Sequence, residues 1–240
     1  MQTDIFIFGG TPSSKTSLYE WIVEAKGLPC KLHLFERPGF GETPPYKRTF
    51  AGWKESITEY IAEEGIQRFA VIGISGGGPH ALALGEFPTC RKIVLVSSAG
   101  RYDSFINSPA LSDSSRQLFT AARAKEKDAI IDQLSKRDLS TFHPSVFNYG
   151  LEPLADELIL IFEDWPFCLE SIACEVVSFH GEDDTTTPLV VTEDFAKNIP
   201  HYKLRVIPKG NHLFFKEPKH MKEILIEAES SRFETSTSSL

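Results

Sequence analysis

A serine, a histidine and a group of carboxylates occupy positions in this sequence that would suit nucleophilic catalysis. Ser75 lies in Gly-Ile-Ser-Gly-Gly, which fits the pattern Gly-x-Ser-x-Gly and stands between an apolar run at 69–72 and a helix-like run at 79–84. A tight turn from a strand into a helix exposes the hydroxyl of such a serine above the edge of a sheet. The pattern therefore predicts a nucleophile at Ser75.

A plain glycine-rich turn and a phosphate-binding loop are the alternative interpretations of this segment. Gly73 and Gly77 remove the side chains that would collide in a tight turn from strand to helix. A Walker-type phosphate loop requires a lysine after its glycines, and no lysine follows here. The context favours the nucleophile.

A serine hydroxyl is a weak nucleophile and needs a histidine base that a carboxylate orients. The acids of 181–188 follow an apolar run at 176–179, and His212 follows the next apolar run, at 204–207. Position selects His212 from the seven histidines. The order serine, acid, histidine predicts a catalytic triad, although the order does not choose among the acids of this loop.

Short apolar runs rich in β-branched residues alternate with helical patterns along most of the chain. This alternation is typical of βαβ units around a parallel sheet that is buried on both faces. We therefore predict the α/β class, with a mostly parallel sheet of about six strands and helices on both of its faces. The predicted strands lie at 5–8, 31–35, 69–74, 92–97, 175–179 and 203–207.

The alternation breaks at 101–172, between the fourth and fifth predicted strands. A polar helical pattern at 112–138 is followed there by an aromatic stretch that prolines interrupt. Ligands bind at the carboxyl ends of the strands in such sheets, and we predict that 101–172 forms a helical cap over that edge. A small separate domain is the alternative. The core then comprises 1–100 and 173–232, and the Ser/Thr-rich end at 233–240 is predicted to be disordered.

Composition excludes several classes of protein. The chain has 240 residues, of which 41% are hydrophobic, and this favours one folded domain over disorder. Its net charge of −8 gives no basic surface for nucleic acid or for anionic lipid. The apolar run at 5–8 is too short for a signal peptide or a membrane span. The four cysteines lack metal-ligand spacing, so we predict reduced thiols, a cytoplasmic location and no bound metal.

Two further segments show a resemblance to a known family. Residues 9–12, Gly-Gly-Thr-Pro, resemble the His-Gly-x-Pro oxyanion loop of the α/β-hydrolase fold, and residues 36–41, Glu-Arg-Pro-Gly-Phe-Gly, resemble its Asp-Arg-x-Gly-x-Gly segment. Together with the serine turn and the order of the triad, these segments make the chain resemble the capped esterases, epoxide hydrolases and proline iminopeptidases of that fold. The resemblance covers 4–100 and about 174–220, whereas the cap matches only in position.

The resemblance implies an oxyanion hole formed by the backbone amides of Gly76 and Thr11, with Gly10 as the alternative second donor. Two departures from the family pattern stand out. Gly9 replaces the usual histidine of the oxyanion loop. Met1 lies only a few residues before the strand that corresponds to the family's third, so the resemblance implies a sheet without the first two family strands.

The resemblance also selects the acid of the triad. The family's acid lies four residues before the proline of its loop, which is Asp184 in this sequence. Asp183 is the adjacent alternative, and Asp103 is a more distant one because some relatives place the acid after the preceding strand. An aspartate nucleophile, as in epoxide hydrolases and dehalogenases of similar fold, is disfavoured because the nucleophile position of the turn holds Ser75.

The function that this resemblance implies is hydrolysis of a small ester, lactone, thioester or amide through an acyl-enzyme, without a cofactor. The partner is then a small-molecule substrate, and the oligomeric state stays open. Each aromatic residue of the predicted pocket, taken singly, is more often a plain core residue. The pocket residues are Gly10, Phe40, Tyr102, Phe105, Trp165 and Phe214.

Three other functions remain possible at this point. Acids in the cap could bind the free amine of an aminopeptidase substrate, as a proline iminopeptidase requires. A non-catalytic ligand-binding protein of the same fold and an acyltransferase that uses an alcohol in place of water are the others. The acids concerned are Glu152, Glu157, Glu163 and Asp164.

Overall fold

A computed structural model describes residues 2–230, and its central feature is a six-stranded parallel sheet. The order of strands across the sheet is β2-β1-β3-β4-β5-β6, and every neighbouring pair is parallel. The predicted α/β class and parallel sheet are confirmed. The strands are β1 (Thr3–Phe8), β2 (Cys30–Phe35), β3 (Phe69–Ile74), β4 (Cys90–Val96), β5 (Glu175–Gly181) and β6 (Tyr202–Ile207).

Helices occupy the connections between the strands and cover both faces of the sheet. On one face, Trp21 and Ile224 belong to one hydrophobic cluster with Ile72 of β3. On the other face, the ring of Trp53 packs edge-on against that of Phe8, with centroids 4.8 Å apart. The α-helices are α1 (Tyr19–Glu24), α2 (Phe50–Glu63), α3 (Gly77–Leu82), α4 (Tyr102–Phe105), α5 (Asp113–Arg123), α6 (Lys127–Ser135), α7 (Glu152–Phe162), α8 (Val191–Asn198) and α9 (Pro218–Glu229).

Residues 101–172 form a helical segment between β4 and β5, and we call it the inserted segment. It contains α4 to α7. The polar pattern at 112–138 was expected to form one helical segment, but it forms two helices, because the chain turns at Lys125, which has a φ of +61°. Leu118 of α5 and Ile161 of α7 are buried and join the hydrophobic cluster on one side of the sheet.

The strand predictions agree with the structure to within about two residues at each end, and β3 has the predicted bounds. Within the described residues, no helix combines the length and the apolar character needed to cross a bilayer. The tail predicted at 233–240 lies outside the described residues.

Candidate active site

Ser75 sits on a sharp turn that joins β3 to α3. Its φ is +48°, a conformation that residues other than glycine rarely adopt, and its amide is held by the carbonyl of Val96 at 2.9 Å. The turn brings backbones together: a Cβ on Gly77 would lie 2.2 Å from the carbonyl oxygen of Phe8, and one on Gly73 would lie 2.7 Å from Ala81 Cβ. The glycines of the motif are therefore required by this close approach.

The side chains of Ser75, His212 and Asp184 meet at the carboxyl ends of their strands. The hydroxyl of Ser75 donates to His212 Nε2 at 3.1 Å, and His212 Nδ1–H donates to Asp184 Oδ2 at 2.8 Å. The side chain of Asp184 is fully buried, whereas that of His212 is 17% exposed. This arrangement can pass a proton from the serine to the imidazole while the carboxylate holds the ring.

The loop after β5 encloses the carboxylate of Asp184. The backbone amides of Thr186 and Thr187 both donate to its Oδ1 at 2.9 Å. Burial raises the pKa of Asp184, but the hydrogen bond from His212 and the amide of Thr187 outweigh burial and bring the pKa below its ordinary value. The neighbouring Asp183 is exposed, and so is Asp103 in α4. Among the described residues, Asp184 is the carboxylate bonded to His212.

Thr187 is a member of this site that the sequence did not single out. Its hydroxyl lies 3.0 Å from Asp184 Oδ2, 3.2 Å from His212 Nδ1 and 3.0 Å from the carbonyl oxygen of Ser97. Three consecutive threonines follow the acid, and only the fold shows which of them turns inward. Behind it, the buried His180 donates to the carbonyl of Thr187 at 2.7 Å and fixes the loop.

We expect Thr187→Val to lower kcat about tenfold to a hundredfold, since a hydrogen bond to a charged group contributes roughly 1.5–3 kcal/mol. Valine keeps the shape of the side chain and removes the hydroxyl that positions Asp184. Steady-state kinetics on an ester substrate would measure the effect. The matched control is Thr186→Val, because the side chain of Thr186 is exposed and only its backbone amide bonds Asp184. Equal losses in both variants would contradict this role for the Thr187 hydroxyl.

The loop after β1 lies directly against the serine turn. A Cβ on Gly10 would lie 3.4 Å from Ser75 Cβ, and a Cβ on Gly76 would lie 2.1 Å from Thr11 Oγ1. The fold thus brings the predicted oxyanion residues Gly76, Thr11 and Gly10 to the serine. The side chain of Ile161 in α7 also packs against the serine turn, because the same Cβ on Gly76 would lie 2.8 Å from Ile161 Cδ1.

A buried ionic cluster lies beside this loop. Glu157 of α7 is fully buried, and its two oxygens accept from Arg37 Nε at 2.5 Å and from Arg48 Nη1 at 2.6 Å. Burial would raise the pKa of Glu157, but the charges of the two arginines outweigh it and lower the pKa to about 2. The buried His80 of α3 lies 3.8 Å from the same carboxylate, and burial lowers its pKa to about 4, so its ring is neutral at pH 7.

This cluster bears on the aminopeptidase alternative. Because both oxygens of Glu157 are bonded to arginines, its carboxylate is not available to the ammonium group of an aminopeptidase substrate. The three other acids considered for that role each pair with a cation near the surface. These pairs are Glu152 with Lys127, Glu163 with Lys125 and Asp164 with Arg123.

The predicted pocket residues separate into two groups. Tyr102 and Trp165 line one cleft of about 410 Å³ between the inserted segment and the core, and Ser75 is not part of its wall. Phe40, Phe105 and Phe214 are at most 4% exposed. Their rings pack within the two main hydrophobic clusters, so these three residues are part of the core. The cleft is lined by Arg101, Tyr102, Asp103, Ser104, Arg123, Glu163, Asp164, Trp165, Phe167, Leu169 and Asp194.

The described residues do not form a candidate metal site. Within residues 2–230, no three side chains of His, Cys, Asp or Glu are grouped closely enough to hold a metal ion.

Comparison with solved structures finds the same fold over most of the chain. An esterase from a Rhodococcus species has a TM-score of 0.72 and 16% identity, and the alignment covers 96% of this chain and 92% of that one. An enol-lactonase from Burkholderia xenovorans has a TM-score of 0.71 and 12% identity, with coverage of 95% and 91%. A bromoperoxidase from Bacillus anthracis has a TM-score of 0.70 and 15% identity, again with coverage of 95% and 91%.

Sequence comparison identifies the family. No curated protein matches the chain in sequence. The profile of the alpha/beta hydrolase family, however, matches residues 10–223, which include the serine turn, the acid loop and the histidine loop. With the parallel sheet and the sharp turn at Ser75, this match shows that the chain belongs to the alpha/beta hydrolase family.

Proposed function

We propose that the protein is a serine hydrolase that cleaves small carboxylic esters or lactones through an acyl-enzyme. One observation carries the proposal: His212 bonds the hydroxyl of Ser75 with Nε2, at 3.1 Å, and the buried carboxylate of Asp184 with Nδ1, at 2.8 Å. A nucleophile, a base and an orienting acid in this order of contacts is the arrangement that acyl transfer requires.

The geometry supports the following steps. Ser75 Oγ attacks the carbonyl carbon of the substrate while His212 Nε2 takes the hydroxyl proton. Asp184 keeps the remaining proton of the imidazole on Nδ1 and stabilises the imidazolium. The protonated Nε2 then donates to the leaving alkoxide, and the acyl group stays on Ser75. A water molecule, deprotonated by the same nitrogen, attacks the acyl carbon; the bond from that carbon to Ser75 Oγ breaks, Nε2 returns the proton to Oγ, and the acid is released.

The oxyanion of each tetrahedral intermediate would be held by the backbone amides of Gly76 and Thr11, with Gly10 as the alternative to Thr11. Support comes from the packing of these residues around Ser75: a Cβ on Gly76 would collide with Thr11 Oγ1 at 2.1 Å, and a Cβ on Gly10 would be in van der Waals contact with Ser75 Cβ at 3.4 Å. Backbone donors fixed in place stabilise the developing charge without reorganisation during the reaction.

The inserted segment, residues 101–172, would act as a cap over a core made of 1–100 and 173–232. The approach of Ile161 to Gly76 supports this role, because it places α7 over the serine turn. An apolar side chain in that position favours an uncharged acyl group beside the nucleophile. The names of the neighbouring esterase and enol-lactonase support esters and lactones as the first substrates to test.

A screen of acyl chain length tests the proposal. We expect an alkyl fluorophosphonate to label Ser75, identified by mass spectrometry of the labelled peptide, and p-nitrophenyl esters of short acids to turn over steadily. Lactones, thioesters and a prolyl amide would be assayed beside them. Absence of both labelling and turnover would contradict a serine hydrolase. Labelling without steady turnover would instead favour a ligand-binding protein that retains the triad.

A further inference from the structure

A single guanidinium group holds the loop that carries the proposed second oxyanion donor. Arg37 Nη1 donates to the carbonyl of Gly9 at 2.8 Å, and Nη2 donates to the carbonyl of Gly10 at 2.7 Å. Nη2 also lies 3.1 Å from the hydroxyl oxygen of Thr11. Three consecutive residues are therefore anchored on one rigid, planar group.

These contacts determine where the loop's N–H groups point. The carbonyl of Gly10 and the N–H of Thr11 belong to one planar peptide unit and point in opposite directions, as do the carbonyl of Gly9 and the N–H of Gly10. Anchoring the two carbonyls on Arg37 thus fixes the orientation of both candidate oxyanion donors. Two adjacent glycines have wide conformational freedom, so this segment needs an external anchor to stay in one orientation.

Arg37 in turn depends on the inserted segment. Its side chain is 1% exposed, and a buried guanidinium without a counter-ion is strongly unfavourable. The counter-ion is Glu157 of α7, whose carboxylate accepts a hydrogen bond from Arg37 Nε. His80 of α3, 3.8 Å from Glu157, shares a hydrogen bond of 3.2 Å with the carbonyl of Gly76, the residue whose N–H is the first proposed donor. The cluster thus contacts both halves of the oxyanion hole.

We propose that Glu157 is a positioning residue: through Arg37 it fixes the oxyanion loop, so that the hole is complete only when the inserted segment is seated on the core. The inference rests on the proposed function. It assigns to the segment a part in stabilising the transition state, in addition to covering the substrate. Glu157 and Arg37 are 120 positions apart in sequence, and their contact forms only when the segment packs against the loop after β2.

Three variants distinguish this positioning role of Glu157 and Arg37, which we call the clamp, from a contribution to general stability. Glu157→Gln keeps the shape of the side chain and removes the counter-ion of Arg37. Arg37→Lys keeps a cation for Glu157 but loses the planar fork that bonds the carbonyls of Gly9 and Gly10. Arg48→Gln is the matched control, because Arg48 bonds the other oxygen of Glu157 and stacks on the ring of Phe40, 4.6 Å from its centroid.

The first readout is kinetic, with active enzyme counted by phosphonate titration. We expect kcat to fall about tenfold to a hundredfold in Glu157→Gln and Arg37→Lys, below the roughly 10²–10³ of losing a donor outright, with KM changed less than about threefold. The inhibition constant of a trifluoromethyl ketone, whose adduct carries an oxyanion, should rise by the same factor. A purely structural role would reduce the count of active enzyme and leave that constant unchanged.

The second readout does not need activity. Amide hydrogen exchange in the peptide spanning 9–14 should be faster in Glu157→Gln and in Arg37→Lys than in Arg48→Gln. Should Glu157→Gln fail to fold, Arg37→Lys decides the question. The inference is overturned if kcat and exchange in Arg37→Lys stay within about twofold of the wild type, or if Arg48→Gln shows equal losses. A wild-type enzyme without labelling or turnover would instead refute the proposed function, and the exchange data would still report on the clamp.

Discussion

Replacing Ser75 with alanine is expected to remove almost all hydrolysis, with a fall in kcat of roughly 10⁵–10⁶. The reason is chemical: alanine offers no oxygen to attack the carbonyl, and His212 loses the group whose proton it takes at 3.1 Å. Rates of the purified variant on the best ester from the screen would measure the fall, and fluorophosphonate labelling should disappear at the same time.

The fold should tolerate this change, because the backbone of Ser75 is held by bonds that alanine retains. Its amide donates to Val96, and its carbonyl accepts from the amides of Gly78 and Ala99, each at 2.9 Å. Ser98→Ala is the matched control, since Ser98 is a buried serine beside the same turn whose hydroxyl bonds the carbonyl of Ala99. A Ser75→Ala enzyme that keeps more than about a tenth of the wild-type rate would contradict the proposal.

The serine turn could be predicted from sequence because its causes are local. The glycines, the preceding apolar run and the following helix lie within 16 residues, and the backbone contacts of Gly73 and Gly77 demand those residue types directly. The strands could also be predicted from sequence, since strands buried on both faces are continuous apolar runs. β3 is buried at all six positions and has the predicted bounds.

The buried ionic cluster could not be predicted in this way. Nothing around Glu157 distinguishes it from Glu152 or Glu163, because a glutamate within a helix usually faces water. Its burial follows from contacts with Arg37 and Arg48, which lie 120 and 109 positions away. The burial of the predicted pocket phenylalanines could not be predicted for the same reason: a phenylalanine in a loop or helix fits a pocket wall or a core, and only packing decides.

The acid of the triad could be predicted from sequence only in part. The sequence offered Asp183 and Asp184 side by side, and only the family resemblance favoured the second. The structure gives the physical reason, because adjacent side chains at a turn point in different directions. The side chain of Asp184 is buried among donors from Thr186, Thr187 and His212, whereas Asp183 is exposed.

We therefore expect Asp184→Asn to lower kcat by about 10⁴ while Asp183→Asn leaves it within about threefold. The asparagine amide can donate to His212 Nδ1, and this favours the tautomer that carries its proton on Nε2. An imidazole in that tautomer cannot accept the proton of Ser75, so the loss arises from the base and not from substrate binding. Steady-state kinetics should accordingly show a fall in kcat with little change in KM.

Thermal unfolding supplies the check on this comparison. The side-chain oxygen of asparagine can still accept the amides of Thr186 and Thr187, so the loop after β5 should keep its conformation and Asp184→Asn should remain folded at the assay temperature. Asp183 contributes its backbone amide to the carbonyl of Gly210 at 2.8 Å, a contact that substitution of its side chain leaves in place. If Asp183→Asn were the variant that lost activity, the assignment of the acid would be wrong even though the serine and histidine stayed in their roles.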